Sequence, residues 1–100
     1  METIISQNGN DTIIKISGRL DTIASTKFEQ CIAPISGLAN ASIVVDCSEL
    51  QYISSSGLRI FLSLQKNVAA NNGIMVLKSL GSDIREIFDM TGFSSIFTIE

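Results

Sequence analysis

The sequence predicts an α/β fold: a mixed sheet of four to five strands, begun by an antiparallel hairpin and continued by parallel strands, with three main helices. Three observations predict it. Short apolar strands, Ile43 to Val45 and Ile74 to Leu77, alternate with segments whose apolar residues recur at spacings of three and four. Helices alternating with such strands imply right-handed parallel crossovers. At the start of the chain, the turn-forming cluster Gln7-Asn8-Gly9-Asn10-Asp11 separates two stretches rich in isoleucine and threonine, the pattern of a hairpin.

Thr3 to Ser6 and Thr12 to Ser17 supply the two hairpin strands. Gly18-Arg19-Leu20-Asp21-Thr22 breaks the second strand and offers Asp21 or Thr22 as a helix cap. Ala24, Phe28, Cys31, Ile32 and Ile35 then form one apolar stripe, which Pro34 ends or kinks near its last turn. Ile43-Val44-Val45 is apolar without alternation, as in a strand covered on both faces, and it closes with Asp46. Leu58, Phe61, Leu62, Gln65, Val68 and Ala69 mark a second helix that runs to about Ala70 and stops at Asn71-Asn72-Gly73. After the strand Ile74 to Leu77, Ser82 caps a third helix with Asp83 in its first turn and Ile84, Ile87 and Phe88 on its buried face; Gly92 ends it. Phe93 to Ile99 fits either a short final strand or a packed tail.

Composition narrows the function. One hundred residues, 45% hydrophobic and 17% charged, predict one globular domain over residues 1–100. A net charge of −3, with no cluster of lysines or arginines, argues against nucleic acid and anionic membrane as partners. No apolar run approaches the roughly 18–20 residues of a membrane span, so membrane insertion is not expected. Met1-Glu2-Thr3 leads straight into a strand pattern without a signal peptide, which makes the cytoplasm the expected compartment. Cys31 and Cys47 share no metal-type or redox-type spacing and are expected to be buried, reduced packing residues. The chain has no histidine, which removes Ser-His and Cys-His catalysis and most zinc sites. No cofactor and no metal are expected.

The chemistry concentrates in Leu50-Gln51-Tyr52-Ile53-Ser54-Ser55-Ser56-Gly57-Leu58-Arg59. Three hydroxyls and a glycine sit where a strand hands the chain to a helix N-terminus, whose free N–H groups and dipole favour a negative group. Capping is the commoner use of such serines. Position raises the cluster above that reading, because groups at the carboxyl ends of strands are where α/β sheets gather function. An enzymatic reading is weak: Asp46 and Glu49 are the only carboxylates nearby and have no histidine or lysine partner close in sequence. Gly57 alone makes no Gly-rich phosphate cradle, and no lysine follows it. A two-component receiver would need carboxylates where the first strand ends in Ser6-Gln7-Asn8.

Two segments carry a resemblance. Gly18-Arg19-Leu20-Asp21 resembles the Gly-x-Leu-Asp segment, and Asp46-Cys47-Ser48-Glu49-Leu50-Gln51-Tyr52-Ile53-Ser54-Ser55-Ser56-Gly57-Leu58 the Asp-x-Ser-x-aromatic-x-Asp-Ser-Ser/Ala-Gly-Leu segment, of single-domain STAS proteins of the anti-sigma factor antagonist family. Order of elements and length match as well, over nearly the whole chain. The resemblance implies a STAS-like fold and a partner switch. The serine after the acidic position is phosphorylated by an anti-sigma factor serine kinase, and a serine phosphatase resets it. Counted back from Gly57, that serine is Ser55, with Ser54 and Ser56 as the lesser candidates; Ser54 replaces the usual acidic residue. Asp21, Ser54, Ser56, Gly57, Leu58 and Arg59 are the implied partner-binding residues. Gly57 is expected to matter for binding more than for folding. The alternative role is a STAS adaptor subunit of a lipid or anion transport complex.

Overall fold

The computed structural model describes residues 1–100. In chain order they form β1 (Glu2–Asn8), β2 (Asp11–Leu20), α1 (Thr22–Ser36), β3 (Ser42–Ile53), α2 (Ser55–Ala70), β4 (Ile74–Lys78), α3 (Ser82–Thr91), a 3₁₀ turn (Phe93–Ser95) and β5 (Thr98–Ile99). The five strands lie side by side in the order β1-β2-β3-β4-β5; β1 is antiparallel to β2 and the rest are parallel. The chain's last strand is therefore real, though only two residues long. No helix is long and apolar enough to cross a membrane.

Strand order explains the layers. Because each crossover steps to the next strand in the same direction, right-handed connections place all the helices on one face. The other face stays open, and burial alternates along β2 and the first half of β3. The expectation that Ile43 to Val45 is covered on both faces is thus corrected: Ile43 and Val45 are buried, whereas Val44 is only half-buried on the open side. The covered face holds a single core in which Phe61 of α2 stands between Phe28 of α1, Phe88 of α3 and Phe97, with ring centroids 5.8, 6.2 and 6.5 Å away. The α2 stripe is Leu58, Ile60, Phe61, Leu64 and Val68; Ala69 faces solvent.

Three boundaries differ from expectation. The hairpin loop is only Gly9-Asn10, with Gly9 at φ +64°, which puts glycine first in a two-residue turn and lets the strands extend inward from both sides. Gly18 and Arg19 do not end β2; Gly18 takes φ +91° and the strand continues to Leu20. Likewise β3 does not close at Asp46 but runs on to Ile53, paired with β2 alone. Its register against β2 slips twice, between Lys15 and Ser17 and between Gly18 and Arg19. Each slip places an extra residue on β3, a β-bulge. That converts the inward spacing from two to three, so Cys47, Leu50 and Ile53 are all buried. Asp46 therefore lies within the strand, away from the serines. It sits on the open face in register with Lys15 and Lys78. The backbone N–H of Ser48, 3.0 Å from its Oδ1, holds the carboxyl below the usual range, helped by the Ser48 hydroxyl and the two lysines.

Candidate functional site

The two recognisable segments meet because Leu20 and Ile53 are register partners at the carboxyl ends of β2 and β3. The next residues, Asp21 and Ser54, each cap a helix, so the N-termini of α1 and α2 emerge side by side. Asp21 Oδ1 accepts from the Ala24 N–H at 2.8 Å, and its carbonyl accepts from the Ser25 hydroxyl at 2.7 Å. Ser54 is extended (φ −83°, ψ 169°), and its Oγ accepts from the Gly57 N–H at 3.1 Å. Its own N–H donates to the Leu20 carbonyl and its carbonyl accepts from the Leu58 N–H, both at 2.9 Å. These bonds stitch the start of α2 to the end of β2.

The three serines consequently differ. Ser54 is 8% exposed and its hydroxyl is engaged as the cap. A serine performs that task as well as an aspartate does. Ser55 is the first helical residue and is exposed; Ser56, the second, is half-buried. Neither α1 nor α2 has an acidic residue in its first turn, so the positive ends of two helix dipoles are uncompensated beyond the Asp21 cap. Arg59, one turn beyond Ser55 and on the same side of the helix, is exposed.

Gly57 and Leu58 are buried. A β-carbon on Gly57 would stand 2.9 Å from Leu20 Cδ2 and 3.0 Å from Leu20 Cγ and Ile53 Cγ1. The glycine is thus a seat for Leu20 inside the fold, and any contribution of Gly57 and Leu58 to binding passes through the placement of the first turn. One pair escaped the sequence reading. Arg19 and Tyr52 are register partners, and the Arg19 guanidinium lies 4.3 Å from the centroid of the Tyr52 ring. This cation–π contact borders the site on the exposed side. Both residues belong to the recognisable segments, but only the register brings them together. No cluster of three or more potential metal ligands is assembled anywhere in the chain.

The cysteines also separate. Cys47 is fully buried, and desolvation, with some help from Asp46, pushes its thiol up to about 12. Cys31 is exposed on α1, which corrects the expectation of a packing residue. With Phe28, Ile32 and Ile35 facing inward, the position between them falls on the flank of the helix. Brief treatment of native protein with iodoacetamide at mildly alkaline pH should label Cys31 and spare Cys47, whose thiolate is scarce far below its titration point. Both should react in denaturant. Equal labelling of the two in native protein, read by peptide mass spectrometry, would contradict the placement of Cys47.

Comparison with known proteins gives a consistent result. The family model described as STAS domain matches residues 2–100. BtrV of Bordetella bronchiseptica, named as an anti-sigma factor antagonist, is 34% identical over 88% of this chain and 83% of its own length. The anti-sigma-B factor antagonist of Bacillus subtilis is 26% identical over 95% of this chain and 86% of its own. The crystal structure of an anti-sigma factor antagonist from Mycobacterium paratuberculosis superposes with a TM-score of 0.88 at 20% identity, covering 98% of this chain and 83% of that one; that likeness speaks for the fold.

Proposed function

The chain belongs to the STAS domain family, and from that premise we propose that it is an anti-sigma factor antagonist that works by partner switching, with Ser55 as the phosphorylated residue. One observation carries the reading: the only exposed serine of the cluster is Ser55, at the first position of a helix whose cap is already filled by buried Ser54. The unmodified protein binds an anti-sigma serine kinase and frees the kinase's client. The kinase then transfers the γ-phosphoryl group of ATP to Ser55 Oγ; the hydroxyl proton goes to a base on the kinase and ADP leaves. The phosphorylated protein dissociates, and a serine phosphatase restores the hydroxyl by hydrolysis. The domain is then a substrate and a binding module with no catalysis of its own, acting in the cytoplasm where its ATP-dependent partner works. The adaptor role in a transport complex has less support, since the curated relatives reported above carry antagonist names.

Reconstitution tests the proposal. The purified protein, the serine kinase encoded nearest its gene and that kinase's client are mixed without and with ATP. The expected result is release of the client by the unmodified protein and its recapture after ATP is added. Failure to bind the kinase, together with co-purification of the native protein with transporter subunits, would favour the adaptor role instead.

A further inference from the structure

We infer that β1 is an interface between two copies of this chain, which join their sheets edge to edge about a two-fold axis at Ile5. The sheet has two edges of very different length: β5 is two residues long, whereas β1 is seven. Asn8 and Asp11 close a two-residue loop, so they form a hydrogen-bonded pair. Alternation then directs the backbone groups of Glu2, Ile4, Ser6 and Asn8 toward β2. Those of Thr3, Ile5 and Gln7 point away from the sheet. None of these outward groups takes part in a backbone hydrogen bond with a loop, turn or cap.

Exposed strands of this length are ordinarily protected by lysine, proline or a bulge. β1 has none of the three: its sequence is Glu-Thr-Ile-Ile-Ser-Gln-Asn, it pairs with β2 without a register slip, and its single charge is Glu2 at one end. Ile4 is 50% and Ile5 41% exposed, on opposite faces of the strand.

The occupant that fits is a second β1. In an antiparallel pairing centred on Ile5, Thr3 faces the second copy's Gln7, Ile5 faces Ile5, and Gln7 faces Thr3. Three pairs with two bonds each use every outward N–H and C=O of both strands. A slip of one residue sets outward groups against inward ones, and a slip of two loses a pair, so the register is defined. The two Ile5 side chains meet at the axis on the helix side, and on the open face each Ile4 meets a Ser6. Each Glu2 falls opposite an Asn8, so no like charges are brought together. On the helix side, Met1, Thr3, Ala24, Lys27 and Cys31 line a groove beside β1 and α1.

Sedimentation of the full chain from low micromolar to near-millimolar concentration tests this. The expected result is a species of twice 10.8 kDa that grows with concentration. Ile5→Pro removes an outward donor that β2 does not use, and Ile5→Lys places two cations on the axis; each should weaken association at least about tenfold. In the wild type, hydrogen exchange at the amides of Thr3, Ile5 and Gln7 should slow as concentration rises, while that at Ile4 and Ser6 stays unchanged. This second readout stands even where a variant folds poorly. A wild-type protein that remains monomeric, or a dimer whose outward β1 amides gain no protection, or one that both folded variants form equally well, would overturn the inference; the last two would point to another surface.

Discussion

Gly57→Val is expected to destabilise the protein by about 1–3 kcal/mol, the usual cost of forcing extra carbon into a packed interior. A β-carbon alone already approaches Leu20 Cδ2 to 2.9 Å, and valine adds two methyl groups beyond it. Leu20 cannot swing into solvent, because this last residue of β2 is fully buried against the start of α2. For a domain of this size each kcal/mol corresponds to about 4–8 °C in Tm, so thermal denaturation resolves the effect easily. Partner binding should fall in parallel, since the displaced first turn carries Ser55. The sequence alone suggests the opposite ranking, binding lost before fold, and packing against Leu20 reverses it. A variant with wild-type Tm would show that the Leu20 seat yields without cost.

Phosphorylation of Ser55 is expected to weaken kinase binding by about 10²–10³-fold without loosening the domain. A phosphoserine adds roughly −1.5 to −2 charges at neutral pH. At the first turn of α2, where no acidic residue stands, that charge is favourable by about 0.3–1 kcal/mol. The loss of affinity therefore arises at the interface, where a dianion must be desolvated against a surface fitted to a hydroxyl. Two or three steps of ~1.4 kcal/mol produce the stated factor. Calorimetric titration of the kinase with the two forms measures it, with a melting curve beside it. Ser55→Asp should reproduce the effect only in part, having fewer oxygens and about half the charge. A lowered Tm, or NMR shifts spreading into β1 and the start of β2, would mean that the switch is conformational.

How much of this was legible follows from how local each feature is. The hairpin and the order of elements rest on turn chemistry and spacing within a few residues, and they read directly; the cap of α3 did not, because Gly81 holds that position without a side-chain bond and Ser82 is already the first helical residue. The second half of β3 did not, because its two bulges change the inward period from two to three. The exposed pairs Ser48-Glu49 and Gln51-Tyr52 then look like loop. Those bulges exist only in relation to β2, a partner about thirty residues away in sequence. Cys31 was misplaced for a smaller reason: spacings of three and of four from Phe28 both read as one stripe, and only packing selects Ile32. Spacing and residue type do not say which of the three consecutive serines caps α2; the hydrogen bond from the Gly57 N–H singles out Ser54. The contact of Gly57 with Leu20, and that of Arg19 with Tyr52, join two segments that the sequence presents as separate motifs.

The assignment of the switch to one hydroxyl is tested most directly by mapping the phosphate. Wild-type protein and Ser55→Ala are incubated with the cognate kinase and ATP and analysed by fragment mass spectrometry. Phosphate on Ser55 alone, and none on Ser55→Ala, is the predicted result. Ser54, buried with its hydroxyl bound at the helix start, should stay unmodified in both. Phosphate on Ser54 or Ser56, or a Ser55→Ala protein still modified within the cluster, would contradict it.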